Sequence, residues 1–279
     1  MRTRPLSIAA LLVAAAGLTA CQAPAGSTDG CGPLLQPGAA TSQVSVEQAE
    51  GAPTVEFEIP LVSDGDQAQV LGGEGERASE GDIVDADYVV YSGKTGALIS
   101  SSYEASAEGQ PPATPLRLTA GGESVLADAV ACGAPGASIV VTTTISSLFG
   151  PTAESPELDI TPADTAVVVL GVSDVRAGRA EGSARPGQQG MPAIALAPDG
   201  RPGVTFPGTP APADLTVMQS IRGTGEEVAE GDRLLLQYTG IVWETEEVFD
   251  SSWETGAPAV FTIDDASLIP GFVDAVVGQ

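Results

Sequence analysis

Apolar residues recur along this chain in short runs, many with a period of two, which is typical of β-strands. Between residues 85 and 173 the pattern predicts five strands, at 85–91, 97–102, 116–119, 139–145 and 166–173. One stretch among them, at 124–131, has helical spacing instead. Short strands with a single brief helix predict an α+β fold with an antiparallel sheet.

The second half of the chain repeats this pattern. It predicts strands at 215–222, 233–243, 248–251 and 260–263, followed by a short helix at 270–277. Residues 71–104 and 221–254 align without a gap at a shift of 150 positions. The residues of the first copy that recur unchanged are Gly73, Gly75, Glu76, Glu80, Gly81, Asp82, Tyr88, Thr95, Ser101, Ser102 and Glu104. A repeat of this length indicates a duplicated domain rather than a solenoid unit.

The repeat extends on both sides of the gapless part. Residues 53–57 resemble 202–206 at a shift of 149, and residues 128–130 match 274–276 at a shift of 146. The first copy therefore has four more residues in between, as expected for a surface loop. It then continues for about 45 residues, whereas the second copy stops just after its match. We therefore expect this chain to be a fragment of a longer protein.

Composition outside the repeat predicts the domain boundaries. Residues 22–50 are rich in small and polar residues, which indicates a tether, and residues 51–62 alternate like a short strand. Residues 177–200 are rich in Gly, Pro and Arg, which indicates a linker. The predicted order is a signal peptide (1–20), a lipidated tether with a short strand (21–62), a first domain (63–176), a linker (177–203) and a second domain (204–279).

The first residues look like a targeting segment. Arg2 and Arg4 precede a mostly apolar stretch, 6–18, that is too short to span a membrane comfortably. It ends in Leu-Thr-Ala-Cys at 18–21, which resembles the lipobox of bacterial lipoproteins and implies lipidation of Cys21. Acyl chains there would hold the protein at the outer face of the cytoplasmic membrane. A secretory signal with an incidental cysteine is the alternative.

Charge and missing residue types exclude several functions. The formal charge is −26, which argues against binding of nucleic acid or anionic lipid through the protein surface. The chain has no histidine, which excludes Ser-His-Asp and Cys-His catalysis and the commonest zinc sites. Besides Cys21, the cysteines are Cys31 and Cys132. They are candidates for a disulfide in an oxidising compartment, with two free thiols as the alternative.

An ordered run of residues in the second copy carries a family resemblance. The run is Gly231-Asp232, Tyr238-Thr239-Gly240, Phe249-Asp250-Ser251-Ser252, Pro258, Phe261 and Leu268-Ile269-Pro270-Gly271-Phe272. In this order it resembles the FK506-binding-protein (FKBP) family of peptidyl-prolyl cis/trans isomerases. The resemblance implies an antiparallel half-barrel sheet wrapped on one short helix, in tandem here because of the repeat. It implies no cofactor and no metal, because rotating an X-Pro bond breaks no covalent bond.

The resemblance also assigns roles to residues of the second copy. The positions that match the family's pocket are Tyr238, Phe249, Asp250, Leu268, Ile269 and Phe272. By resemblance, Phe272 is the aromatic floor, and Tyr238 and Phe249 are walls. Asp250 is the polar group near the twisting amide, hydrogen-bonded to the Tyr238 hydroxyl. The backbone N–H of Ile269 would hold a substrate carbonyl.

Both copies depart from the family's pattern. In the second copy the floor is Phe272 where the family usually has Trp, and Ala259 stands where an aromatic residue is frequent. The first copy departs further, because Ile99 and Ser100 replace one aromatic wall and the carboxylate, and Leu126 stands at the floor position. We therefore predict weak or no isomerase activity in the first copy.

The leading hypothesis is a surface-anchored prolyl isomerase that acts on X-Pro segments of exported polypeptides. FK506-type macrolides are its expected inhibitors. A non-catalytic polypeptide-binding or chaperone lipoprotein is the alternative, and Asp250 argues against it. A purely structural tandem β lipoprotein is a third class, and the helix that follows Ile269 argues against that one.

Overall fold

The computed structural model describes residues 32–49, 51–103, 114–264 and 268–279. Over these residues, none of the helices combines the length and the apolar character needed to cross a membrane.

The first part of the chain forms short strands and two brief helices. They are β1 (Ser45–Glu47), β2 (Thr54–Glu56), β3 (Gln67–Gly72), β4 (Ile83–Ser92), β5 (Leu98–Ser101), β6 (Leu116–Thr119), α1 (Val125–Ala129), β7 (Ala137–Thr144), α2 (Ile145–Phe149) and β8 (Thr165–Arg176). A 3-10 helix, Thr41–Gln43, precedes β1. The predicted strands at 85–91, 139–145 and 166–173 correspond to β4, β7 and β8, and the predicted helix at 124–131 to α1.

Six of these strands form one antiparallel sheet in the order β3-β7-β8-β4-β5. The sixth strand, β6, shares with β5 the edge of β4 that faces away from β8. Helix α1 begins after Ser124, whose side chain accepts a hydrogen bond from the N–H of Ala127, and it lies against β3, β6 and β7. The predicted α+β fold, an antiparallel sheet around one short helix, is confirmed here.

Both faces of this sheet are buried, which explains the consecutive apolar residues at 139–141 in β7 and 166–170 in β8. Val168 and Leu170 face a core that includes helix α1. Val167 and Val169 alternate with them and face a second core on the opposite side. Ala40 and Val44 complete that second core, together with half-buried residues of the β1–β2 hairpin.

Two segments that composition marked as a tether and a linker contain strands, and the strand predicted within 51–62 corresponds to β2. Ala40, Val44 and Leu61, which precede the predicted start of the first domain, are buried against the sheet, so the folded region begins before residue 63. Small side chains such as Ala40 fit between a hairpin and a sheet, and the resulting polar and small composition resembles that of a tether. In the predicted linker, β9 (Ser183–Ala184) and β10 (Ala193–Leu196) both pair with later strands. The division into two domains stays a prediction.

The second part of the chain contains shorter paired segments. They are β11 (Pro202–Thr205), β12 (Ile221–Arg222), β13 (Arg233–Leu236), β14 (Thr239–Ile241), β15 (Val248–Ser251), α3 (Ser252–Thr255), β16 (Ala259–Thr262) and α4 (Pro270–Val276). The pairs are β10–β11, β9–β12, β13–β16 and β14–β15, all antiparallel. No strand among the described residues takes the places that β7 and β8 have in the first copy.

Strand pairing shows how the repeat changes along the chain. Ile83 pairs with Thr119 in the first copy, and Arg233 pairs with Thr262 in the second. Ile83 and Arg233 are 150 positions apart, but their partners Thr119 in β6 and Thr262 in β16 are only 143 apart. Further along the chain, residues 128–130 and 274–276 are 146 positions apart. The first copy therefore has seven more residues before β6 and three fewer after it, which together give the four-residue difference in the sequence.

Candidate functional site

The β14–β15 hairpin brings Tyr238 and Asp250 together. Gly240 pairs with Asp250, and a bulge follows between Gly240 and Ile241. The Tyr238 hydroxyl donates a 2.6 Å hydrogen bond to Oδ2 of Asp250, as the resemblance implied. This bond raises the pKa of Tyr238, and partial burial of the ring acts in the same direction. The result is a protonated phenol held against an exposed carboxylate.

A buried serine fixes the backbone beneath this pair. Ser252 Oγ accepts a 2.9 Å hydrogen bond from the N–H of Tyr238 and donates a 2.6 Å bond to Oε1 of Gln237. In the first copy, Ser102 Oγ accepts from the N–H of Tyr88 at 2.8 Å and donates to Asp87 at 2.8 Å. The second serine of the Phe-Asp-Ser-Ser run is thus part of the scaffold, which explains why it recurs in both copies.

Two further aromatic rings pack beside the Tyr238–Asp250 pair, with their planes inclined rather than stacked. Phe261, from β16, lies with its ring centroid 5.7 Å from that of Tyr238 and 5.7 Å from that of Phe272. Phe272 comes from α4, so the cluster joins a strand, a hairpin and a helix. Phe261 belonged to the family run in the sequence but had no assigned role. Its spacing from Phe272 in that run was the available signal.

The residues before α4 present a free backbone donor. Ile269 is the residue that precedes the helix, and its carbonyl accepts from the N–H groups of Phe272 at 2.9 Å and Val273 at 3.4 Å. Its own N–H has no acceptor among the described residues. The Ile269 side chain is 74% exposed, and Leu268 beside it is half-buried. This geometry is compatible with the predicted role of the Ile269 N–H.

Phe249 does not join the aromatic cluster, contrary to its expected place as a wall. Its side chain is 71% exposed, and its ring lies over Gly240. A Cβ atom added to Gly240 would lie 2.5 Å from that ring, so the ring fits here because glycine has no side chain. The bulge beside Gly240 and the missing Cβ together direct the ring to this position.

The first copy keeps the scaffold but not the carboxylate. The Tyr88 hydroxyl lies 3.2 Å from Ser100 Oγ, which replaces the charged partner by a neutral one. Ile99 and Leu126 are half-buried and pack against the core on the α1 side of the sheet. Compared with the second copy, the first copy therefore has less aromatic surface at this site and no carboxylate beside its tyrosine.

The cysteine predictions fall largely outside the described residues. Cys21 and Cys31 both lie there, so lipidation stays a prediction. Cys132 is disulfide-bonded, as required by the predicted pairing with Cys31, but that pairing itself also stays a prediction. No cluster of three or more potential metal-ligating Cys, Asp or Glu side chains occurs over the parts of the chain that the structure describes.

Comparison with known proteins finds relatives of the second copy. Residues 224–279 match the family model described as FKBP-type peptidyl-prolyl cis-trans isomerase. An FK506-binding protein of Streptomyces anulatus is 35% identical over 79 residues, which are 28% of this chain and 64% of that protein. A probable FK506-binding protein of Corynebacterium glutamicum is 36% identical over 79 residues, covering 28% of this chain and 65% of that protein. The chain thus spans less than two thirds of either relative.

Solved structures give weaker similarities. FkpA from Escherichia coli is 24% identical with a TM-score of 0.29, covering 40% of this chain and 48% of that one. The three FKBP domains of wheat FKBP73 are 17% identical with a TM-score of 0.32, covering 77% of each chain. Scores of this size do not establish a shared arrangement of the whole chain. The family match is confined to residues 224–279, so it shows similarity of the second copy to FKBP-type isomerases over those residues.

Proposed function

We propose that the second copy is a peptidyl-prolyl cis/trans isomerase. The observation that carries the proposal is the Tyr238–Asp250 hydrogen bond placed beside the Phe261 and Phe272 rings. The family match of the same residues supports it.

The chemistry requires no nucleophile. Rotation about an X-Pro bond has a barrier of about 20 kcal/mol and takes tens of seconds without a catalyst. A twisted amide loses resonance and charge separation, so apolar rings favour it over the planar form more than water does. Phe261 and Phe272 supply those rings. The Ile269 N–H holds the preceding substrate carbonyl, and Asp250 lies beside the twisting amide.

The substrates we propose are X-Pro segments of unfolded or exported polypeptides, and FK506-type macrolides are the proposed inhibitors. The names of the two bacterial relatives support macrolide binding. We also propose that lipid on Cys21 anchors the protein outside the cytoplasm. Metabolic labelling with a fatty acid should mark the intact protein, and Cys21→Ala should remove the label and release the protein from membranes.

A matched pair of floor variants tests the isomerase. The intact protein should accelerate isomerisation of a short X-Pro peptide, and a macrolide should inhibit it. Phe272→Leu, which introduces the first copy's floor residue, should remove most of the acceleration, whereas Leu126→Ala should leave it unchanged. If the intact protein binds the peptide without accelerating its isomerisation, the non-catalytic binding function replaces this proposal.

A further inference from the structure

The segment between the two copies reaches the scaffold of the second site. Arg201 precedes β11, and its Nη2 donates a 2.5 Å hydrogen bond to the carbonyl oxygen of Trp253 in α3. This side chain therefore connects the predicted linker with the helix that follows Asp250.

The turn that carries Arg201 is well defined. The N–H of Gly200 donates to the carbonyl of Ala197 at 2.9 Å, and the N–H of Ala197 donates to the carbonyl of Arg201 at 2.9 Å. Gly200 has φ +92, in the left-handed region that favours glycine. A Cβ atom at Gly200 would lie 3.4 Å from Cη2 of Trp253, so the indole rests against this turn. Gly200 and Trp253 also line a cavity of about 860 Å³.

Helix α3 connects this contact to the site. Its first residue, Ser252, is only 3% exposed and holds the N–H of Tyr238 at 2.9 Å. Asp250 lies two residues earlier in β15. A displacement of α3 would therefore move the phenol and its carboxylate partner relative to each other.

The first copy lacks this contact. Tyr103 stands at the position of Trp253, and its hydroxyl lies against Gly171 of β8 instead. Ala52 stands at the position of Arg201, so no guanidinium is available there. The contact thus belongs to the copy that retains the carboxylate.

We propose that Arg201 is a positioning residue of the second site, acting through Trp253 and α3 on the Tyr238–Asp250 pair. The predicted linker then contributes a residue that positions the groups of that site. The expected effect of Arg201 on turnover rests on the proposed isomerase function. The contact between Arg201 and Trp253 does not, because it can be measured separately.

Three arginine variants of the intact protein test the inference. Arg201→Ala should lower kcat/KM about fivefold, the effect of losing one partly exposed charge-assisted hydrogen bond. Arg201→Lys should recover part of the loss, because it retains a charged donor. Arg179→Ala is the matched control, since Arg179 donates to the Pro198 carbonyl in the same segment at 2.9 Å and not to α3. Equal activity of the Arg201→Ala and Arg179→Ala variants would overturn the proposal.

A fluorescence measurement tests the contact independently of activity. The chain has two tryptophans, so Trp243→Phe leaves Trp253 as the single reporter. In that background, Arg201→Ala should shift Trp253 emission to the red and increase its quenching by acrylamide, and Arg179→Ala should do neither. Unchanged Trp253 emission and quenching would refute the positioning of Trp253 by Arg201, whether or not the wild-type protein isomerises proline. An inactive wild type with the emission shift would instead reject only the proposed function.

Discussion

The Asp85 carboxylate should contribute measurably to the stability of the first copy. It accepts from Nε of Arg117 at 2.7 Å, from Nη2 of Arg117 at 2.9 Å and from Nη1 of Arg176 at 2.8 Å. These bonds join β6, β4 and β8, because Asp85 lies on the central one of the three strands. The perturbation is Asp85→Asn, which keeps the shape and removes the charge.

The size of the effect follows from partial burial. The Asp85 side chain is 18% exposed, whereas the two arginines are 38% and 42% exposed. A charge-assisted bond contributes about 1.5–3 kcal/mol when buried, and an exposed ion pair about 0.2–1 kcal/mol. For this intermediate case we expect Asp85→Asn to cost about 2 kcal/mol. In a domain of this size that lowers Tm by about 6 °C.

The pH dependence has a definite sign. The hydrogen bond from Arg117 lowers the pKa of Asp85 most, Arg176 adds to it, and burial opposes both. The contribution is therefore full above the ordinary carboxyl pKa of about 3.9 and is lost as pH falls through the lower folded-state value. Thermal unfolding followed by circular dichroism should show the Tm difference at about pH 7 and a smaller one at about pH 2.5.

An exposed ion pair provides the control for this prediction. Lys94 contacts Asp159 at 2.8 Å, but the Asp159 side chain is 73% exposed. Asp159→Asn should therefore leave Tm nearly unchanged. If Asp85→Asn and Asp159→Asn lower Tm equally, or if the Asp85 effect persists unchanged in acid, then the network does not stabilise the sheet as reasoned.

Three further outcomes are expected. Asp250→Asn should lower the pKa of Tyr238 toward its ordinary value, measured by NMR of tyrosine labelled at Cζ; an unchanged pKa would contradict the observed bond. Ser100→Asp, combined with Asp250→Ala, should not restore isomerase activity, because the floor of the first copy remains aliphatic; restored activity would show that the carboxylate alone suffices. Mass spectrometry of non-reduced protein should show a Cys31–Cys132 linked peptide, and two alkylated thiols would exclude it.

Sequence alone predicted the parts of the fold in which apolar residues follow a regular pattern along the chain. Strand β4 stands out by its period-two alternation and β7 and β8 by consecutive apolar residues, and the repeat places β13 and β15 by comparison. The Tyr238–Asp250 hydrogen bond followed from family resemblance and is present at 2.6 Å. These features depend on local patterns, which a sequence displays directly.

The remaining features depend on long-range packing. The hairpin that covers the second face of the sheet has its first strand in the segment predicted as a tether, and only its second strand was predicted as a strand. Val140, Val167 and Val169 are the apolar residues of the sheet that face it. The place of Phe249 over Gly240 depends on a bulge, which has no clear sequence signal. The bond from Arg201 to Trp253 joins residues 52 positions apart, and no pattern in the chain marks it.

The central claim, that the second copy isomerises proline and the first does so weakly or not at all, is tested most directly by one matched comparison. The rate of cis/trans isomerisation of a short X-Pro peptide is measured with the intact protein, with Asp250→Ala and with Ser100→Ala. The account predicts that Asp250→Ala removes most of the acceleration and that Ser100→Ala retains it. Full activity of the Asp250→Ala protein, with loss of activity in Ser100→Ala, would place the catalytic site in the first copy and contradict the account.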